Sequence, residues 1–404
     1  MMNIRCAERL NAFQTGIFTE LDQKKEQLLK AGKKVYNLSV GTPDFEPDSH
    51  VMHALTEAAK KPENYKYSLR DKEELTDAVI RYYKTRFGVK LDAGETMALY
   101  GSQEGIAHIG LALCDPGDLV LVPNPGYPIF EIGPYLAGAE IGFYELKPEN
   151  QYLPDLKAIS KETAKRAKMM IVSYPLNPVC AVAPDSFYEE LITWAEENEV
   201  ILVHDSAYAD IVYDGKICRS FLSYEGAKEV GVELYSLSKS FNMTGCRVSF
   251  VSGNREIIQN FKKLRSQIDY GLFLPIQEAA IAALTGPQER VKEHCREYER
   301  RRNVLCEGLQ KAGFEAPLSA GTMFAWMKVP DGYTSTAFCM ELMEKTGVLC
   351  TPGNAFGSLG EGYVRFALVL PAETIREAVS LIQEKFSVTT RILQHPRPED
   401  ERHG

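Results

Sequence analysis

Between about residues 95 and 255 the chain alternates short apolar runs with amphipathic stretches. TMALY, DLVLVPN, AEIGFYEL, KMMIVSYP, EVILVHD, VELYSLS and RVSFVSG recur every 15 to 35 residues. Such alternation is the pattern of βαβ units, which lay their strands side by side in one sheet. The runs are nearly continuous in Val, Ile, Leu and Met instead of alternating with polar residues, as strands need when helices cover both faces. Between two of them, SFYEELITWAEENE sets Phe187, Leu191 and Trp194 at helical spacing with acidic residues opposite. That predicts a helix packed by one face, and the whole block predicts a doubly wound α/β sheet.

Outside this block the texture changes. Residues 287 to 315 form a long, charged, amphipathic helical pattern that stops at Gly313, and AETIREAVSLIQEKF predicts another helix near the end. The first 48 residues hold one helix and a strand-like VYNLSV that breaks at Gly41 and Pro43. The expected organisation is a large domain over 49–286 and a small α+β domain made from 1–48, with an N-terminal arm, and 287–387. The polar, proline-containing residues 388–404 are expected to form a tail.

Composition narrows the function. With 404 residues, 45% hydrophobic and 25% charged, the chain is neither disordered nor a small disulfide scaffold. Its 46 Lys and Arg stand against 55 Asp and Glu, a net charge of −9 that argues against a general nucleic-acid footprint and suits a small polar ligand. The nine cysteines are scattered without a C-x-x-C pair and read as reduced thiols. The start, MMNIRCAERLNAFQ, lacks a signal-length apolar stretch, and nowhere do 18 apolar residues run together, so a cytoplasmic protein without a membrane partner is expected. His50 and His53 lie three apart, but no cluster of Cys or carboxylate completes a metal site, and none is expected.

Candidate chemistry gathers where predicted strands end. SLSKSFNMTGCR, residues 236–247, places Lys239 between serines, with Arg247 eight residues on. Ser236 and Ser238 can donate hydroxyls and Arg247 a bidentate fork to a phosphate, while Lys239 is a candidate amine nucleophile. VHDSAY brings Asp205 and Tyr208, SYPLNP brings Asn177, and in YGSQEG a strand breaks into a helix at Gly101, Ser102 and Gln103. Backbone N–H groups at that helix start would also face a phosphate. A lone lysine is more often a solvated loop cation, and each of the others alone is more often a turn or cap. Four such ends in one sheet point together to an anionic ligand.

With these motifs in this order, roughly residues 15 to 385 resemble the class I and II aminotransferases, which are fold type I pyridoxal-phosphate enzymes. In texture the chain is most similar to the branch holding the LL-diaminopimelate, alanine and aspartate aminotransferases. The resemblance implies a mostly parallel seven-stranded sheet sandwiched by helices, a smaller α+β domain, pyridoxal 5'-phosphate as cofactor, and a homodimer with shared active sites that moves an amino group between an α-amino acid and a 2-oxo acid. It implies that Lys239 forms the Schiff base with the cofactor aldehyde, that Asp205 pairs with the pyridine nitrogen, and that Tyr208 and Asn177 donate to the ring hydroxyl oxygen. Ser102, Gln103, Ser236, Ser238 and Arg247 correspond to the phosphate cup, and Tyr127, in PNPGYP, to the ring stacked on the cofactor. Tyr67 matches a tyrosine reaching the neighbouring subunit's phosphate. Arg365, in GYVRFAL, matches the clamp on the substrate α-carboxylate, which Gly41 lets the backbone approach.

The chain departs from that pattern after Asn177, where Cys180 replaces a usual glycine and demands either a tolerant turn or strain at positive φ. Cys246 replaces a bulky aromatic and Ser249 another glycine, which implies a wider or more polar wall near the cofactor. Arg70 and Arg265 could meet a distal carboxylate but are expected at the surface. A C–S β-lyase of the same fold is the alternative activity, because it needs the same Lys239, Asp205 and Arg365. A ligand sensor would need an added DNA-binding domain, for which the chain has no room.

Overall fold

Each of the seven apolar runs becomes a strand of one sheet: β1 (Thr96–Leu99), β2 (Leu119–Asn124), β3 (Glu140–Glu145), β4 (Ala167–Ser173), β5 (Ile201–Asp205), β6 (Gly231–Ser236) and β7 (Ser249–Gly253). In this computed structural model, which describes Met2 and residues 4–13 and 16–386, the order across the sheet is β1-β7-β6-β5-β4-β2-β3. Only β7 runs antiparallel, to both β1 and β6; every other pair is parallel. Every residue of β1, β2, β6 and β7 is buried, as continuous apolar runs covered on both faces require. The most open strand is β3, whose Glu140 and Glu145 are exposed at the sheet edge, where charge blocks further pairing.

The predicted helix forms over Asp185–Asn198 and buries Phe187, Tyr188, Leu191, Ile192 and Ala195, while Trp194 is only half-buried. The buried face is therefore wider than the three-residue stripe predicted from the pattern, as a helix lying on a sheet needs. Two compact units result: one comprises residues 42–299 and 319–323, the other residues up to 41, 300–318 and from 324 onward. The divisions fall at Gly41 and inside the helix Glu289–Lys311, at Arg300, where the periodicity had set them at 48 and 287. A helical repeat continues unbroken through such a point and carries no mark of it. The expected tail, 388–404, lies outside the described residues.

The smaller unit holds a three-stranded antiparallel sheet of β8 (Phe324–Lys328), β9 (Thr351–Pro352) and β10 (Tyr363–Ala367), ordered β9-β10-β8. VYNLSV contributes Tyr36–Asn37, paired in parallel with Val348–Leu349, and the helix Ala372–Lys385 buries Ile375, Val379 and Ile382. Among the described residues no helix is long and apolar enough to cross a membrane.

Candidate active site

Four strand ends meet at one edge of the large sheet because of its register. Asp205 closes β5 opposite Ser173 of β4 and Leu234 of β6, while Ser236 closes β6 opposite Ser249, which in turn faces Leu99 of β1. The antiparallel β7 thus begins where its neighbours end, bringing Arg247 and Ser249 to that edge. Asp205 is buried, with its Oδ1 lacking any hydrogen-bond partner. Burial pushes its carboxyl up to about 7; the Ala207 N–H works against this, and the charge of Glu233 adds to it. An orphaned carboxylate oxygen in an apolar surround is built to receive a cationic donor such as a protonated ring nitrogen.

Lys239 lies in the four-residue helix Leu237–Ser240 directly after β6, held at its start by Ser236, whose Oγ accepts from the Ser238 N–H at 3.1 Å. Across the edge, Gly101 takes φ +90° and leads into the helix Ser102–Leu113. A Cβ on Gly101 would overlap Arg247 Nη2 and lie 3.0 Å from its Cζ, so the guanidinium occupies the space a side chain would fill. Arg247 is fixed there by donating from Nη1 to the Thr244 carbonyl at 2.9 Å. Ser102 Oγ is buried and unpartnered, and the Tyr127 hydroxyl donates to Gln103 Oε1 at 3.1 Å. A cation, an orphaned hydroxyl and a helix start gathered at one glycine fit a phosphate. Asn177 and Tyr208 are buried in the loops after β4 and β5. Tyr67 is 83% exposed and tilts against Tyr270 with ring centroids 5.8 Å apart.

Within the smaller unit, Arg365 lies in β10 opposite Trp326 and Thr351. Its guanidinium sits 4.1 Å from the Phe324 ring centre and 4.6 Å from that of Phe356, and its Nη2 donates to the Ser39 carbonyl at 2.9 Å. Gly41 meets the same Phe324: an added Cβ would come 2.7 Å from Cε1. Packing against that ring is thus a reason for Gly41 that motif reading does not supply.

Cys180 adopts φ +62°, so the turn carries the strain its Cβ brings. Its buried thiol donates to the Pro178 carbonyl at 3.2 Å and accepts from Thr322 Oγ1 at 3.3 Å. Cys246 is part-buried, and burial pushes its thiol up, leaving it neutral. Ser249 Oγ is fully buried without a partner. Arg265, expected at the surface, is instead buried, pairing with Asp269 at 2.7 Å and Glu104 at 3.3 Å; Arg70 is exposed. His50 bonds Asp48 and the Ala282 carbonyl, while His53 is exposed. Glu104, His108 and Asp269 do approach within 4.8 Å, but Arg265 already supplies the cation of that group.

Sequence reasoning missed two carboxylates beneath this edge, one wholly buried and one half-buried. Glu233, wholly buried in β6, accepts from Ser220 Oγ at 2.8 Å, the Phe221 N–H at 2.7 Å and the Tyr83 hydroxyl at 3.1 Å. Asp210 accepts from Tyr235 and Ser240 at 2.6 Å each, and from Arg86 Nε at 3.0 Å. An acidic residue within an apolar run was the available signal for the first; the second sits in a loop and gave none.

The chain is 41% identical over 379 residues to an LL-diaminopimelate aminotransferase from Halothermothrix orenii, covering 93% of this chain and 97% of that one. It is 42% identical to the one from Moorella thermoacetica with the same coverage. Among solved structures, substrate-bound BacF from Bacillus subtilis superposes with a TM-score of 0.90 at 36% identity, covering 95% of this chain and 98% of that one. An aspartate aminotransferase variant from Thermus thermophilus gives 0.88 at 27%, covering 95% and 100%. The family model for aminotransferase class I and II matches residues 33–382, and the chain belongs to that family of enzymes.

Proposed function

We propose that this aminotransferase uses pyridoxal 5'-phosphate and takes LL-diaminopimelate as amino donor, working as a cytoplasmic homodimer. The observation that carries the cofactor reading is Asp205, a buried carboxylate with an orphaned oxygen at the sheet edge where Lys239 emerges. Relatives at about 40% identity named as LL-diaminopimelate aminotransferases support the substrate. Exposure of Tyr67 and Tyr270 supports a partner subunit at that face.

When bound, pyridoxal phosphate supplies a carbonyl carbon that takes up the amino group and a ring that accepts the electron pair left at the substrate Cα. Arg247, Ser102, Ser236, Ser238 and the N–H groups of the helix start would hold the phosphate, and Tyr127, whose hydroxyl donates to Gln103, would stack on the ring. Asp205 keeps a proton on the ring nitrogen through opposite charge, and Tyr208 and Asn177 donate to the ring hydroxyl oxygen. Lys239 Nζ takes the proton from the substrate Cα and would return it two atoms on, past the amino nitrogen, at the carbonyl carbon, acting as base and then acid. Arg365 fixes the α-carboxylate through two parallel N–H bonds, which orients the Cα–H bond.

Stopped-flow mixing of holoenzyme with LL-diaminopimelate tests this. The absorbance of the lysine-bound cofactor should convert to that of the amine form, and Lys239→Ala should abolish conversion. No conversion by LL-diaminopimelate, or faster conversion by alanine or aspartate, would overturn the substrate. Pyruvate and ammonia released without an added 2-oxo acid would favour the β-lyase.

A further inference from the structure

A cavity of about 870 Å³ opens in the larger unit, and none of the residues assigned above to cofactor or substrate lines it. Its volume is that of a small-molecule site. Four segments build it: the helix Glu73–Tyr82 with the turn to Phe87, the loop from Asp210 to Ile217, the end of the helix Leu274–Thr285 with the link to Gln288, and the first turns of the helix Glu289–Lys311.

Its charge runs against the rest of the molecule. Five cations line it, Arg81, Arg86, Lys216, Lys292 and Arg296, against two acids, Asp210 and Glu299, a local excess of three positive charges in a chain of net −9. Asp210 is spent on Arg86, Tyr235 and Ser240, which leaves Arg81, Lys216, Lys292 and Arg296 to set the charge of the rim. Glu299 Oε1 accepts from the Asp214 N–H at 2.9 Å. Arg81 spends one N–H on the Asp77 carbonyl, and its side chain is exposed, as are those of Lys216, Lys292 and Arg296. Like charges set around one concavity repel unless an anion joins them, and a concave wall concentrates their field. Between them the wall is apolar, with Val212, Leu284 and Val291, and Ile217 stands 79% exposed at the mouth.

We propose that this cavity is a second binding site, for a small organic anion that carries two or more acidic groups on an apolar body. The acids are met by the guanidinium forks of Arg81 and Arg296 and the ammonium groups of Lys216 and Lys292; the body lies on Val212, Leu284 and Val291. An inorganic anion satisfies only the charges, so it binds more weakly.

Calorimetric titration of the holoenzyme with naphthalene-1,5-disulfonate, and separately with inorganic pyrophosphate, tests the site. The disulfonate should bind once per chain, at least tenfold tighter than pyrophosphate, and weaken as salt rises. Lys292→Glu with Arg296→Glu should weaken it at least tenfold while leaving transamination and circular dichroism unchanged. Lys216→Glu, on a separate loop, should weaken it independently should the helix variant fold poorly. Arg365→Gln should leave it unaltered. The proposal is overturned by absence of saturable disulfonate binding, by equal affinity for the two anions, or by binding that vanishes in Arg365→Gln and ignores the charge reversals.

Discussion

Arg247 Nη2 lies in the volume that a side chain on Gly101 would take, so the cation at the sheet edge is placed by the absence of a Cβ. Gly101 also sits at φ +90°, a conformation L side chains rarely adopt. Gly101→Ala therefore meets two penalties, backbone strain of about 1–3 kcal/mol and displacement of the guanidinium. Cofactor affinity, followed by absorbance during titration of apoenzyme, should fall at least tenfold. An unchanged dissociation constant would mean that Arg247 does not hold the phosphate.

The strands and their functional ends were legible because an apolar run and the turn that breaks it are local signals. Asp205, Ser236 and Gly101 each stand where a run stops, and the register then carries them to one edge. Arg265 was misread for the opposite reason. Glu104, 161 positions away, is one of its partners, and nothing in the residues around Arg265 announces it. The same holds for the stack of Phe324 and Phe356 on Arg365, and for Asp210, whose partners come from two distant segments. Long-range packing chose these positions, and a periodicity records only which face is buried.

Asp205 sets a pH dependence in the apoenzyme. Its carboxyl is raised to about 7 in the folded state from 3.8, so between these values the folded chain binds a proton that the unfolded chain does not. The resulting stability is full below about pH 4 and is lost as pH rises through about 7. At about 1.4 kcal/mol per pH unit the whole span reaches roughly 4 kcal/mol. Asp205→Asn removes this term. Melting temperatures of the two apoproteins should converge at about pH 4 and separate by several degrees at pH 8, with the variant higher; parallel curves would refute the assignment.

Arg365 combines a flat stack with a two-pronged donor, and lysine reproduces neither. Arg365→Lys should raise KM for the amino donor by about a hundredfold, equivalent to about 2–3 kcal/mol of lost carboxylate binding, while the cofactor absorbance of the resting holoenzyme stays as in the parent. Steady-state kinetics beside the spectrum separates the two effects. A loss of the spectrum along with KM would place Arg365 in support of the cofactor instead of the substrate.

Cys180 allows a paired substitution in which strain and side-chain loss can be told apart. Alanine at φ +62° keeps the left-handed penalty and forfeits the thiol contacts to Pro178 and Thr322. Glycine forfeits the same contacts but relieves the penalty, worth about 1–2 kcal/mol, less the extra freedom it gives the unfolded chain. Cys180→Ala should therefore be the less stable of the two by about 1 kcal/mol in denaturant titration, with both below the parent. If alanine equals or exceeds glycine, the turn has relaxed out of the left-handed region, and Asn177, three residues before it, will have moved with it; a change in the cofactor's absorbance would register that shift.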